Sequence, residues 1–150
     1  MSTIIQSEDL RLIGLGRTVT KATGTLVNAD ISLFTVAGGR AAITSLIGEV
    51  TVAVTNANAF LIKLNPTVGA DNDLCAALDI GTTDTPVGHL LAITGNPGDA
   101  MIRGGGVGMM TTEILCMEGV IEAESNGTDG EITWTLTYVP YDDGATIAPA

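Results

Sequence analysis

Apolar and polar residues alternate along much of this chain. In residues 131–139, Ile132, Trp134, Leu136 and Tyr138 point one way, and Glu131, Thr133, Thr135 and Thr137 the other. Residues 49–55 repeat the rhythm, with Val50, Val52 and Val54 set against Glu49, Thr51, Ala53 and Thr55. In residues 59–65, Phe60, Ile62 and Leu64 alternate with Leu61 and Lys63. A period of two is that of a β-strand with one face on a core and the other toward water or a partner. Thr and Val fill these runs, and both suit a pleated backbone. Further strands are expected at 18–23, 33–36, 41–47, 74–80, 89–94 and 113–124.

Turn signals fall between them at short intervals, among them Gly38-Gly39, Asn65-Pro66, Asn96-Pro97-Gly98 and Asp129-Gly130. The 19 glycines, spread in this way, indicate frequent reversals rather than long helices. Residues 125–130 read as the loop of a hairpin that joins 113–124 to the Trp134 strand. Two stretches break the rhythm. Residues 1–17 form an expected N-terminal arm ahead of a single β domain at 18–150. Residues 95–112 hold Gly104-Gly105-Gly106, Gly108 and Met109-Met110, and a loop this long tends to be functional or flexible. Residues 141–150 read as a tail. The expected fold is all-β: an antiparallel β-sandwich or barrel, jelly-roll arrangements included, with an extended N-terminal arm and a long Gly-rich loop. Ile132, Trp134, Leu136 and Tyr138 are its expected core.

Composition narrows the class of partner. Six Lys and Arg against 17 Asp and Glu leave a net charge of −11, and the isoelectric point is near 4.1. Nucleic acid and anionic membrane surfaces both recruit clustered cations, so neither is an expected partner. Charged residues make up only 15% of the chain, against about 25% in an average soluble domain, and mean hydropathy is +0.39. No apolar run reaches the roughly 18 residues that a membrane-spanning helix needs. A charge-poor, apolar chain of this kind is expected to bury surface against other subunits. Charge is also unevenly spread. Residues 1–40 hold four cations and three anions, whereas residues 104–150 hold no cation and eight anions.

Catalytic signatures are missing. The one histidine, His89, stands beside Leu90 and Leu91, and no Gly-x-Ser-x-Gly elbow exists to use it. Cys75 and Cys116 match no zinc or redox spacing and sit among apolar neighbours, which suits small buried hydrophobes. The glycine triplet lacks the Lys and Ser/Thr that complete a phosphate-binding loop. Asp71-Asn72-Asp73 and Asp142-Asp143 lack the alternating spacing that wraps a chain around calcium. No enzyme, cofactor or metal is expected. The first nine residues lack the basic start and apolar stretch of a signal peptide, so synthesis in a cytoplasm is expected.

The segment Gly130-Glu131-Ile132-Thr133-Trp134-Thr135-Leu136-Thr137-Tyr138-Val139-Pro140, followed by Asp142-Asp143-Gly144-Ala145, resembles the ending of small β-rich structural proteins of tailed bacteriophages. Phe34-Thr35-Val36-Ala37-Gly38-Gly39-Arg40, leading to Leu46-Ile47-Gly48-Glu49-Val50, is similar to their N-terminal half. The resemblance implies a virion protein made in the host bacterial cytoplasm, most like a capsid decoration (cement) protein. It implies a homotrimer on the capsid surface that binds and stabilises the lattice of the major capsid protein. The alternative is a tail- or fibre-associated module that contacts host surface glycans. The arm is the expected capsid or partner contact, through Ile4, Ile5, Leu10, Arg11, Leu12, Ile13, Leu15 and Arg17.

Overall fold

The computed structural model describes Gln6 and residues 16–150, and every regular element in them is a β-strand. In chain order these are β1 (Arg17–Ala22), β2 (Ala29–Ala37), β3 (Ala41–Val52), β4 (Ala59–Pro66), β5 (Asn72–Asp73) and β6 (Leu78–Asp79). They continue as β7 (Leu90–Ala92), β8 (Ile102–Gly104), β9 (Ile114–Cys116), β10 (Gly119–Ser125), β11 (Glu131–Pro140) and β12 (Thr146–Pro149). Two antiparallel sheets pack face to face as a sandwich, and they do not close into a barrel. The first sheet runs β1-β11-β3-β7-β8, with β9 also on β3; the second runs β12-β2-β10-β4-β5, with β6 also on β4. Taken as β1-β11-β3-β7 against β2-β10-β4-β5, the strand order is that of a jelly roll.

Consecutive long strands swap sheets in this order. The connection at 125–130 therefore crosses the sandwich from β10 to β11 and is not the loop of a hairpin. Buried Asn58 pins this crossing: its Nδ2 donates to Ser125 Oγ at 3.0 Å, and its Oδ1 accepts from Asn126 N at 3.0 Å.

The alternation in β11 sets the core. Ile132, Trp134 and Leu136 are fully buried and Tyr138 nearly so, opposite Val50, Gly48, Leu46 and Ile43 of β3. Trp134 reaches across to the second sheet and stacks on Phe60, with ring centroids 6.0 Å apart. Gly48 makes room for the indole, since a Cβ there would lie 3.0 Å from its ring carbons and 2.8 Å from Ile132 Cγ2.

Two bulges adjust the phase of β3. Register shifts at Thr137/Tyr138 and Glu131/Ile132 leave Thr44 and Thr51 as extra residues on β3. Their hydroxyls donate to the carbonyls of Thr137 and Glu131, at 3.2 and 3.3 Å. The second bulge turns Val52 out: it lies opposite Glu131 and is 52% exposed, not on the core face with Val50 and Val54.

Other sequence expectations change at the margins. Residues 41–47 and the start of 49–55 form one strand, β3, and 113–124 divides into β9 and β10. Residues 74–80 are mostly loop, with only the two-residue β6. The expected tail contains β12, which pairs with β2, and the glycine-rich stretch contains β8.

Candidate docking surface

Sheet pairing brings apolar side chains to one end of the sandwich. On the outer side of the first sheet, Val139 of β11, Ala42 of β3 and Leu115 of β9 form one rung across three strands. Val139 and Leu115 are 45% and 48% exposed. Beside this rung the glycine-rich loop brings Met109 over the sheet and closes a cleft of about 300 Å³. Its remaining lining is Thr18, Thr44, Ser45, Glu113 and Thr137. A second cleft of about 290 Å³ lies between Gly39, Arg40, Thr67, Val68, Met117 and Glu118. Tyr141 adjoins it, with the Arg40 guanidinium 4.7 Å above its ring. Of the ten large hydrophobic residues exposed among the described residues, six therefore gather here: Val68, Met109, Leu115, Met117, Val139 and Tyr141. This concentration makes the end the candidate interaction surface, since apolar residues scattered singly carry no such signal.

Arg40 and Asp142 hold this end in shape. The carboxylate accepts from Arg40 N at 2.8 Å, from Nε at 2.9 Å and from Nη2 at 2.9 Å. This fork ties the β2–β3 turn to the β11–β12 connection. The Arg40 hydrogen bonds hold the Asp142 carboxyl at about 2, and the same pairing raises the Arg40 pKa. Gly39 allows the approach. Its φ is +131°, and a Cβ there would meet Asp142 Cβ at 2.8 Å.

The outer side of the second sheet is of a different kind. Lys63 on β4 is 7% exposed and lies between Glu122 of β10 and Asp73 of β5. Its ammonium reaches Asp30 at 2.8 Å, Glu124 at 3.3 Å and Asp71 at 3.4 Å. Hydrogen bonding to Asp30 is the main force raising the Lys63 pKa. The amine therefore stays protonated and cannot act as a nucleophile. The same ammonium occupies the centre of the acidic face, and among the described residues no group of three or more His, Cys, Asp or Glu is arranged to hold a metal ion.

The other sequence candidates stand apart from one another. His89 is half-buried before β7; its backbone N–H donates to the Pro86 carbonyl, and its carbonyl accepts from Val50 N. Cys75 and Cys116 are buried, unpaired thiols, and burial pushes Cys116 up to about 12. Trp134 lies wholly inside, so the single indole provides no exposed platform for a sugar. Of the expected contact residues, Arg17 is exposed and opens β1 opposite Tyr138. Ile4, Ile5, Leu10, Arg11, Leu12, Ile13 and Leu15 lie outside the described residues. Sequence reading missed the apolar end. Its only signal was large apolar residues at turn positions, such as Val68 after Pro66 and Tyr141 after Pro140.

No known family model, curated protein or solved structure matches the chain.

Proposed function

We propose that the chain is a structural virion protein, a decoration protein that seats its apolar end on a lattice of major capsid protein. The observation that carries this reading is the gathering of Val68, Met109, Leu115, Met117, Val139 and Tyr141 at one end of a charge-poor sandwich. An exposed apolar cluster of that kind suits a lasting protein contact, because hydrophobic contact gains strength from area removed from water. The acidic face of the second sheet supports the same orientation, since carboxylates turned to solvent keep an assembled particle soluble. Ile4, Ile5, Leu10, Arg11, Leu12, Ile13, Leu15 and Arg17 extend the contact, and a homotrimer multiplies it.

The test is cryo-electron microscopy of particles purified with and without a functional gene for this chain. Loss of regularly placed surface knobs and earlier rupture on heating are the expected results. Identical densities and identical rupture temperatures overturn the reading.

A further inference from the structure

We propose that the cleft beside Met109 receives a basic side chain, an arginine or lysine, from the lattice protein. The inference rests on the lattice reading and states what the partner must present. Its first support is an incomplete hydroxyl. Thr18 of β1, Thr137 of β11 and Ser45 of β3 form one rung in the lining of the cleft. The Thr18 and Thr137 hydroxyls lie 3.4 Å apart and bond each other, and the Thr44 hydroxyl donates to the Thr137 carbonyl. Ser45 differs. It is only 5% exposed, yet among the described residues its hydroxyl has no hydrogen-bond partner. Buried hydroxyls ordinarily have one. Because Ser45 lines the cleft, a group entering there is placed to supply it.

The second support is charge. Glu113 is exposed, lines the same cleft, and makes no ion pair among the described residues. Glu118, in the second cleft of this end, is likewise without an ion pair. The cation of this end, Arg40, is already held by Asp142. The charge left over for a partner is therefore negative, on a chain whose net charge of −11 draws basic surfaces toward it.

Chemistry then selects the occupant. An acidic group would meet Glu113, with no cation in the described lining to receive it. A purely apolar plug would bury the Ser45 hydroxyl and the Glu113 carboxylate without partners, which is costly. A basic side chain avoids both penalties. Its methylene stem lies along Met109 and Val139, and its N–H groups, which only donate, reach Ser45 and Glu113.

The test is titration of the purified full-length chain onto particles that lack it, with bound protein read by co-sedimentation. Glu113→Gln should weaken binding about tenfold or more, and Ser45→Ala about threefold or more. Glu113→Lys should weaken it further than Glu113→Gln. The control is Asp84→Asn, since Asp84 adjoins Thr85, which bridges Val54 beyond the far end of β3. At that distance from the cleft its effect should stay below about twofold in physiological salt. Native binding with an unchanged Glu113→Gln affinity overturns this inference and leaves the lattice reading standing. Equal losses in Glu113→Gln and Asp84→Asn also overturn it, because the charge then acts from anywhere on the surface. Tighter binding by Glu113→Lys overturns it in favour of an acidic partner. Failure of the native chain to bind such particles overturns the lattice reading, and this inference with it.

Discussion

The two outer faces of the sandwich share one alternating pattern and differ in every other respect. On the first sheet the outward residues are Thr18 and Thr20 of β1 and Thr133, Thr135 and Thr137 of β11, with Ser45, Ile47 and a single carboxylate, Glu49, of β3 beside them. Neighbouring hydroxyls face each other across the strands, Thr18 with Thr137 and Thr20 with Thr135, both at 3.4 Å. On the second sheet Asp30, Asp71 and Glu124 are drawn around the Lys63 ammonium, with Asp73 and Glu122 on the adjoining strands. Hydroxyls that bond one another are cheap to cover, whereas carboxylates must be stripped of water first. Covering the hydroxyl-lined part of the first face would therefore cost less desolvation than covering the second face. The rung of Val139, Ala42 and Leu115 and the cleft beside it lie on the first face.

The largest break in this comparison lies beneath both faces. Trp134 on the first sheet stacks on Phe60 of the second, and it is the biggest side chain holding the two together. Trp134→Ala should cost about 3–5 kcal/mol, read as a lower urea midpoint. A midpoint equal to the native value would show that the sheets do not depend on this contact.

Next in size is Lys63→Met, which keeps the stem and removes the charge that holds the carboxylates together. A loss of about 1–2 kcal/mol is expected at low salt, shrinking as salt is added. Because the folded state raises the Lys63 pKa, its contribution is complete below the ordinary lysine value. It disappears only as pH rises through the folded value. The difference between native and Lys63→Met stability should therefore be flat across neutral pH and narrow only in strong alkali. The smallest effect belongs to the first face, where Thr135→Val should stay within about 0.5 kcal/mol of the native protein. If Thr135→Val costs as much as Lys63→Met, the faces are energetically alike and the contrast fails.

Much of this was legible in the sequence, and the illegible parts have physical reasons. The inward row of β11 follows directly from its period of two, because both of its faces keep one environment over the whole strand. Val52 departs from the same rule at the Thr51 bulge, a backbone event that leaves no mark on the apolar pattern. The segment at 125–130 has the composition of a hairpin loop, but its flanking strands pair with β2, β4, β1 and β3 rather than with each other. Local turn chemistry does not encode such distant partners. Lys63 reads as an outward, solvated lysine and is in fact enclosed by residues 33 and 61 positions away, Asp30 and Glu124. The candidate surface was hardest to read, because it is assembled from strand and loop ends that meet only after the strands have paired. Val68, Leu115, Met117 and Tyr141 share no period along the chain.

The strand order also dictates a timetable. β10 separates β2 from β4, and β11 separates β1 from β3, so the middle strand of each sheet is among the last to be synthesised. Arg17 meets Tyr138 only after the intervening chain exists. Until residues 119–140 emerge, β2 and β4 have open edges and Phe60 has no indole to stack against. Early strands must wait in a half-made state, and pairings of this separation form slowly. The nascent protein therefore passes through an interval in which its own apolar strands are available to other chains, and crowded synthesis is its time of greatest exposure to misassembly.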